Sequence, residues 1–376
     1  MNNLLVTMSG GTTSVINATL AGIVDAASRS SKIDKVYAGH PGMLGVFEEN
    51  FLDLTNIPSH VFKNTPGSSF IGTTRVEIFD NNKLKLLSEI FDKHNIRYFI
   101  NIGGNGTIKQ SKLIASKVKN ISIAAAPKTV DNDLGDSNFE KLWFTPGFPS
   151  CVNYWYHKMK MLNNENIGAH THDKVIIAQT FGRKTGFIVG AMRLFDPERN
   201  LPLVLLLPED QQSPQKVLGK IDDTLSRHDR VIVGICEGYD IDNYEFQYDK
   251  SGQEMYGSSS SSAVQELVNL CVKNNMQARG YNPTIDQRQN FDHTLASDRE
   301  ISYNIGREII NNFKLGSDHF FQSYSREGFK LFPLSEVNSF SRCLKTEWVD
   351  FKNFDVTDKY IDYLEGFVNI LKRKQQ

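Results

Sequence analysis

The chain is poor in cysteine, in net charge and in long apolar runs, and each shortage removes a class of protein. Its four cysteines, Cys151, Cys236, Cys271 and Cys343, stand far apart without a repeated short spacing, so neither a zinc motif nor a disulfide framework is expected. Lysine and arginine number 42 against 43 aspartates and glutamates, a formal net charge of -1. That balance offers no global pull toward nucleic acid or an anionic membrane, so any bound anion must be held by local groups. The opening Met1-Asn-Asn-Leu-Leu-Val-Thr7 lacks a charged segment ahead of a long apolar core, and the longest apolar runs are strand-length. A reduced, soluble, cytoplasmic protein with neither a nucleic-acid nor a membrane partner is the expectation. Its 376 residues suit one large domain or, in preference, two ordinary ones with well-buried cores.

What is present is an alternation of short apolar runs, glycine turns and helical periodicity. Leu4 to Met8 breaks at Ser9-Gly-Gly-Thr-Thr-Ser14, and apolar residues then recur at helical spacing through Ile16, Leu20, Ile23 and Val24. This reads as strand, turn and helix, with Thr13 or Ser14 available as N-cap. The turn is either an anion cradle at a helix start or a plain tight connection. Asp34 to Gly39 is a second strand; Leu84, Leu87, Ile90 and Phe91 mark a helix, and Tyr98 to Ile102 a further strand. Strands and helices alternating at this interval predict βαβ units and a largely parallel sheet, whose ligands sit at the carboxyl ends of the strands. Gly10-Gly11, Gly103-Gly104 and Lys128 to Asp133 should therefore share one rim.

Two of these turns carry chemistry. In Gly103-Gly-Asn-Gly-Thr107, glycines let the backbone approach a polyphosphate, Thr107 can cap the next helix, and Asn105 can hold a phosphate oxygen or a metal-bound water. Kinases of several superfamilies use such a turn. In Pro127-Lys-Thr-Val-Asp-Asn-Asp133, a cation, a hydroxyl and two carboxylates fall within six positions from Lys128, the types needed to deprotonate a hydroxyl and stabilise a transferring phosphoryl group. Arg75, beside the Gly72 turn, is either a surface residue or a donor clamp whose planar fork matches phosphate oxygens.

With these turns in order, the chain resembles the phosphofructokinase family, and within it the pyrophosphate-dependent branch. The resemblance rests on Ser9 to Gly22, Gly72-Thr-Thr-Arg75, Gly103 to Thr107, Pro127 to Asp133, Thr145-Pro-Gly-Phe148, Phe181-Gly-Arg-Lys-Thr-Gly186, Leu207-Pro-Glu209 and Glu237-Gly238. It implies an α/β protein of two similar lobes with largely parallel sheets flanked by helices. The donor lobe would span 1–140 with about 281–315, and the sugar-phosphate lobe 141–280 with about 316–376. The implied reaction is transfer from ATP or pyrophosphate to the C1 hydroxyl of fructose 6-phosphate, with Mg2+, in a homodimer or homotetramer.

The resemblance also implies roles. Asp131 would be the base, Lys128 would bind the transferred phosphoryl group, Thr129 would contact the acceptor, and Asp133, with Asn105, would serve the metal. Gly11, Arg75 and Gly103, Gly104, Asn105, Gly106 and Thr107 would hold the donor. Phe181, Gly182, Arg183, Glu237 and Arg279 would hold the sugar phosphate; Lys174 would reach that of a neighbouring subunit, and Arg288 is a ligand or a helix-surface residue. Two departures matter. ATP-dependent members mostly have Asp in place of Asn105, and the pyrophosphate branch typically has Asp in place of Gly106, so a pyrophosphate-like residue sits beside one that leaves room for ATP. A weak homologue acting as a binding or regulatory subunit, or a kinase for another ketose phosphate, is the alternative. Further expectations are a hairpin turn at Lys250-Ser-Gly252, a loop or helix start at the serines after Gly257, and a tail from Lys330 packed on the second lobe.

Overall fold

Alternation in the first strand sets the architecture. In β1 (Asn2–Met8), Leu4, Val6 and Met8 enter one hydrophobic cluster with Leu20 and Ile23, while Leu5 enters another with Leu84, Leu87 and Ile108. Side chains of a strand point alternately to opposite faces, so a strand apolar at both parities must be covered on both sides. Each such fully buried side chain contributes about 1.5–3 kcal/mol of transfer free energy. The computed structural model describes residues 2–63, 69–76, 78, 80–241, 247–248, 254–256, 261–337 and 341–369. It is an α/β fold with two mostly parallel sheets flanked by helices.

The chain divides into two units. The first comprises Met1–Thr129, Leu134–Gly147 and Arg288–Ser341. Besides β1 it contains β2 (Ile33–Gly39), β3 (Phe51–Asp53), β4 (Ile96–Gly103), β5 (Ser122–Pro127), β12 (Phe320–Ser325) and β13 (Gly328–Pro333), in the order β13-β12-β5-β4-β1-β2-β3. The pairs β2-β1, β1-β4, β4-β5 and β5-β12 are parallel; β3 and β13 close the edges antiparallel. Because β1, β4 and β5 are neighbours, the turns after Met8 and Gly103 share the carboxyl rim with Lys128 and Thr129, as the alternation of elements predicts, whereas Val130–Asp133 belong to the second unit.

The second unit comprises Val130–Asp133, Phe148–Gln287 and Arg342–Gln376. Its parallel sheet has the order β11-β6-β8-β7, from β6 (Val175–Thr180), β7 (Leu203–Leu206), β8 (Val231–Cys236) and β11 (Ala278–Tyr281). A short antiparallel ribbon joins β9 (Gln247–Tyr248) and β10 (Glu254–Met255). The turn expected at Lys250 to Gly252 and the first serines after Gly257 lie outside the described residues. Among the described residues no helix is long and apolar enough to cross a membrane.

Local reading and structure differ at a helix cap and at the bounds of the lobes, where 141–147 fall in the first unit and 281–287 in the second. The first helix spans Ile16–Ala27 with Val15 at its N-cap position and no capping side chain, so neither Thr13 nor Ser14 caps it. The segment 316–341 belongs to the first unit rather than to a sugar-phosphate lobe, because Phe320 and Phe321 pair with Ala124 and Ala125 of β5. The tail from Lys330 is split accordingly: β13 completes the first sheet, and the chain joins the second unit from Arg342 onward.

Candidate active site

In the first unit the carboxyl rim builds a polar concavity of about 360 Å3, lined by Gly10, Gly11, Thr12, Thr73, Thr74, Arg75, Arg288 and Gln289. Two guanidinium groups and three threonine hydroxyls line it, and among the described residues no carboxylate does. This composition suits a multiply charged anion, since an arginine fork and hydroxyl donors both match phosphate oxygens. Gln289 donates to the Thr12 hydroxyl. A Cβ on Gly11 would lie 2.6 Å from an Arg288 nitrogen, so the absent side chain is what lets this guanidinium lie over the turn. Arg288, expected as a ligand or a helix-surface residue, thus lines this concavity with Gly11 and Arg75. Lys128, only 4% exposed, extends into the same turn and donates from Nζ to the Gly11 carbonyl.

Beside this concavity lies the Gly103–Thr107 turn. Lys128 N donates to the Gly103 carbonyl at 3.0 Å, which ties the ends of β4 and β5 together. The helix here spans Asn105–Lys117 with Gly104 at the N-cap position and no side-chain cap. Thr107 therefore sits inside the first turn instead of capping it; its side chain is buried over Gly103, where an added Cβ would meet Oγ1 at 2.0 Å. Gly106 is the opposite case, with nothing within 4 Å of a Cβ built there. Thr129 is held through its carbonyl, which accepts from Thr145 Oγ1 at 2.7 Å.

The second unit gathers the carboxylates and their counter-charges. Asp133 is pushed up to about 7, first by burial and then by Asp131, while Arg183 and Arg342 act in the opposite sense. Arg183 follows the carboxyl end of β6 in the left-handed region, φ 53°. Its N–H donates to Glu237 at 3.2 Å, and its guanidinium lies 5.8 Å from the Tyr256 ring centroid. Phe181 N donates to Gln287 at 2.8 Å, which fixes the start of the same turn. Gly182 has φ 132°, a conformation that favours glycine. Cys236 lies under this turn, its Sγ bonded to the carbonyls of Arg183 and Thr185, a core position.

Lys174 and Arg279 are not brought to these residues. Lys174 precedes β6, at the end opposite Arg183, and its Nζ is 2.5 Å from Asp229. Arg279, on the edge strand β11, is 62% exposed with Nε 2.8 Å from Asp173. Both are paired with carboxylates at the amino side of this sheet, away from Glu237.

Among the described residues no three His, Cys, Asp or Glu side chains cluster to hold a metal ion. Mg2+ needs only one or two protein carboxylates when phosphates and water complete its shell. The Asp131–Asp133 pair fits that requirement, since the repulsion that raises Asp133 would be relieved by a cation. Asn105, in the first unit, could contribute only a neutral oxygen. Sequence reasoning missed Arg342, Thr12, Thr73, Thr74 and Gln289. Gly72-Thr-Thr-Arg75 already carried Thr73, whereas nothing near Arg342 signals a partner 210 residues away.

Comparison with known proteins identifies the family. A family description, "Phosphofructokinase", matches residues 3–298. A pyrophosphate–fructose 6-phosphate 1-phosphotransferase of Halomonas elongata is 24% identical over 98% of this chain and 92% of its own length. A sulfofructose kinase of Alkalicoccus urumqiensis is 24% identical over 74% of each. The crystal structure of a pyrophosphate-dependent phosphofructokinase from Nitrosospira multiformis superposes with a TM-score of 0.84 at 25% identity, covering 98% of this chain and 91% of that one. The matched span runs from before the Gly10 turn to beyond Arg288, through every strand-end turn described above, and the chain belongs to the phosphofructokinase family.

Proposed function

We propose that the protein is a 6-phosphofructokinase, transferring a phosphoryl group from pyrophosphate or ATP to the C1 hydroxyl of fructose 6-phosphate. The observation that carries this reading is the concavity of the first unit, which presents Arg75, Arg288 and glycine-turn backbone, with Lys128 extending into the same turn and standing three residues before Asp131 in the chain. Asp131 takes the proton of the C1 hydroxyl as that oxygen attacks the terminal phosphorus. The bridging P–O bond breaks, and phosphate or ADP leaves. Lys128 offsets charge on the transferring group, and Arg75 and Arg288 hold the donor. Asp133 would hold Mg2+ together with donor oxygens, and Asn105 would offer a neutral oxygen; the ion would supply further charge neutralisation. Arg183, Glu237, Thr129 and the Phe181-Gly182 backbone hold the sugar phosphate. Lys174 and Arg279 would act only on the site of another copy in a homodimer or homotetramer.

The space around Gly106 supports ATP as a competent donor, and the pyrophosphate-dependent relatives support pyrophosphate. The relative named a sulfofructose kinase supports a second acceptor class, in which a sulfonate replaces the phosphate. Purified protein with Mg2+ is given each donor with fructose 6-phosphate or sulfofructose, and the phosphorylated product is followed. Bisphosphate formation is expected. No product from any pair at high protein concentration sinks the kinase reading in favour of a binding or regulatory subunit.

A further inference from the structure

Asn132, between the two aspartates, is completely buried and takes φ 56°, while Asp131 and Asp133 on either side stay partly exposed. Asn tolerates the left-handed region better than most residues, but a buried amide in that conformation needs its polar atoms satisfied. One side chain does most of this. Arg342, 1% exposed, donates from Nε to the Asn132 carbonyl at 2.8 Å and from Nη2 to Asn132 Oδ1 at 2.6 Å. Its own backbone N–H donates to the Asp133 carbonyl at 2.8 Å. The amide's other end is also tied, Nδ2 donating to the Tyr363 hydroxyl at 2.9 Å, and the Tyr363 ring stacks on Trp348 with centroids 4.7 Å apart.

We propose that Arg342, backed by Tyr363, is a positioning residue for phosphoryl transfer: it clasps Asn132 so that the flanking Asp131 and Asp133 are presented in one fixed geometry. The planar fork donates from two nitrogens to a carbonyl and an amide oxygen of the same residue, a fixed geometry that a lysine ammonium, a single point charge on a flexible stem, does not reproduce. Arg342 touches neither donor nor sugar in this scheme. Its effect reaches the reaction only through the placement of the base, and small displacements of a reacting group are costly in rate. The inference rests on the kinase reading, so its test has one arm that needs no turnover.

Arg342→Ala, Arg342→Lys and Tyr363→Phe are compared with the unchanged protein. Arg342→Ala is expected to lower kcat by about 100-fold with KM for both substrates within about threefold, because binding groups are untouched. Millimolar guanidinium should restore at least part of that loss in Arg342→Ala and none in Tyr363→Phe, whose expected loss is about threefold to tenfold. Amide hydrogen exchange over residues 130–134 should be about tenfold or more faster in Arg342→Ala and Arg342→Lys. If Arg342→Ala does not fold, Arg342→Lys and Tyr363→Phe decide by the same readouts. Unchanged kcat per folded molecule in Arg342→Lys and Tyr363→Phe overturns the proposal, as does unchanged exchange at 130–134. If the unchanged protein transfers nothing, the kinase reading fails while the exchange arm still decides whether the clasp exists.

Discussion

The turn from Gly103 to Thr107 and the segment from Lys128 to Asp133 follow adjacent strands, yet they are held by different means. The first is fixed by what is missing: Gly103 has no Cβ to strike Thr107, and Gly104 starts the helix with no capping side chain. The second is fixed by charged and polar side chains: Lys128 reaches back to the Gly11 carbonyl, and Arg342 grips Asn132. A backbone cradle needs neighbours only a few residues off, whereas a charge-bearing loop needs partners from anywhere in the chain. Substitutions in the first should act through shape and donor fit, and those in the second through the chemical step.

The widest separation is expected at Asp131. Asp131→Asn keeps the shape and removes the base, so kcat should fall by about 100-fold to 10,000-fold with sugar-phosphate KM changed little. Steady-state product formation gives both numbers. A lowered Tm with unaltered kcat would make Asp131 a structural residue and erase the contrast between the two loops.

Next comes Gly103→Ala, which tests the cradle. The new methyl would fall 2.0 Å from Thr107 Oγ1 and 2.8 Å from its Cβ, and the clash is with the root of the side chain, which cannot swing away. Overpacking of this kind costs about 1–3 kcal/mol. Urea unfolding should record that loss, together with a raised donor KM. Stability equal to that of the unchanged protein would mean that the first turn is as adaptable as an ordinary loop.

How much of this could be read beforehand follows the same division. The parallel strands and the shared rim were predictable because apolar runs, glycine turns and helical spacing are local signals, and Leu4 to Met8 or Tyr98 to Ile102 carry them in full. Thr107 misled for a local reason: threonine favours a cap, but the helix starts two residues earlier, at Asn105. Residues 316–341 misled, and Arg342 went unnoticed, for a non-local one. Pairing of Phe320 with Ala124, and of Arg342 with Asn132, joins segments separated by most of the chain, and no periodicity near either end announces the other.

Gly106 lies in the same turn as Gly103 but has open space around it, so Gly106→Asp separates donor selection from stability. At the second position of its helix an added carboxylate is favoured by the dipole by about 0.3–1 kcal/mol, and folding should not suffer. Turnover with ATP should drop more than turnover with pyrophosphate, by about tenfold in the ratio of kcat/KM, or about 1.4 kcal/mol. Equal losses with both donors would refute a steric role for this position.

The smallest effect belongs to the second segment and requires no substrate. An aspartate raised from its ordinary 3.8 to about 7 in the folded protein holds a proton there that the unfolded chain has already released. Between these values the folded state binds more protons, so this group makes stability fall as pH rises from about 4 to about 7, and contributes no further change above that. Asp133→Asn removes this slope. The difference in Tm between the two proteins, taken without metal at pH 5 and pH 8, should therefore grow with pH in favour of the asparagine variant, by on the order of a few degrees. The direction matters more than the size. A difference that shrinks with pH would mean that Arg183 and Arg342 outweigh burial and Asp131, and that this pair of carboxylates is already fully compensated by its own side chains.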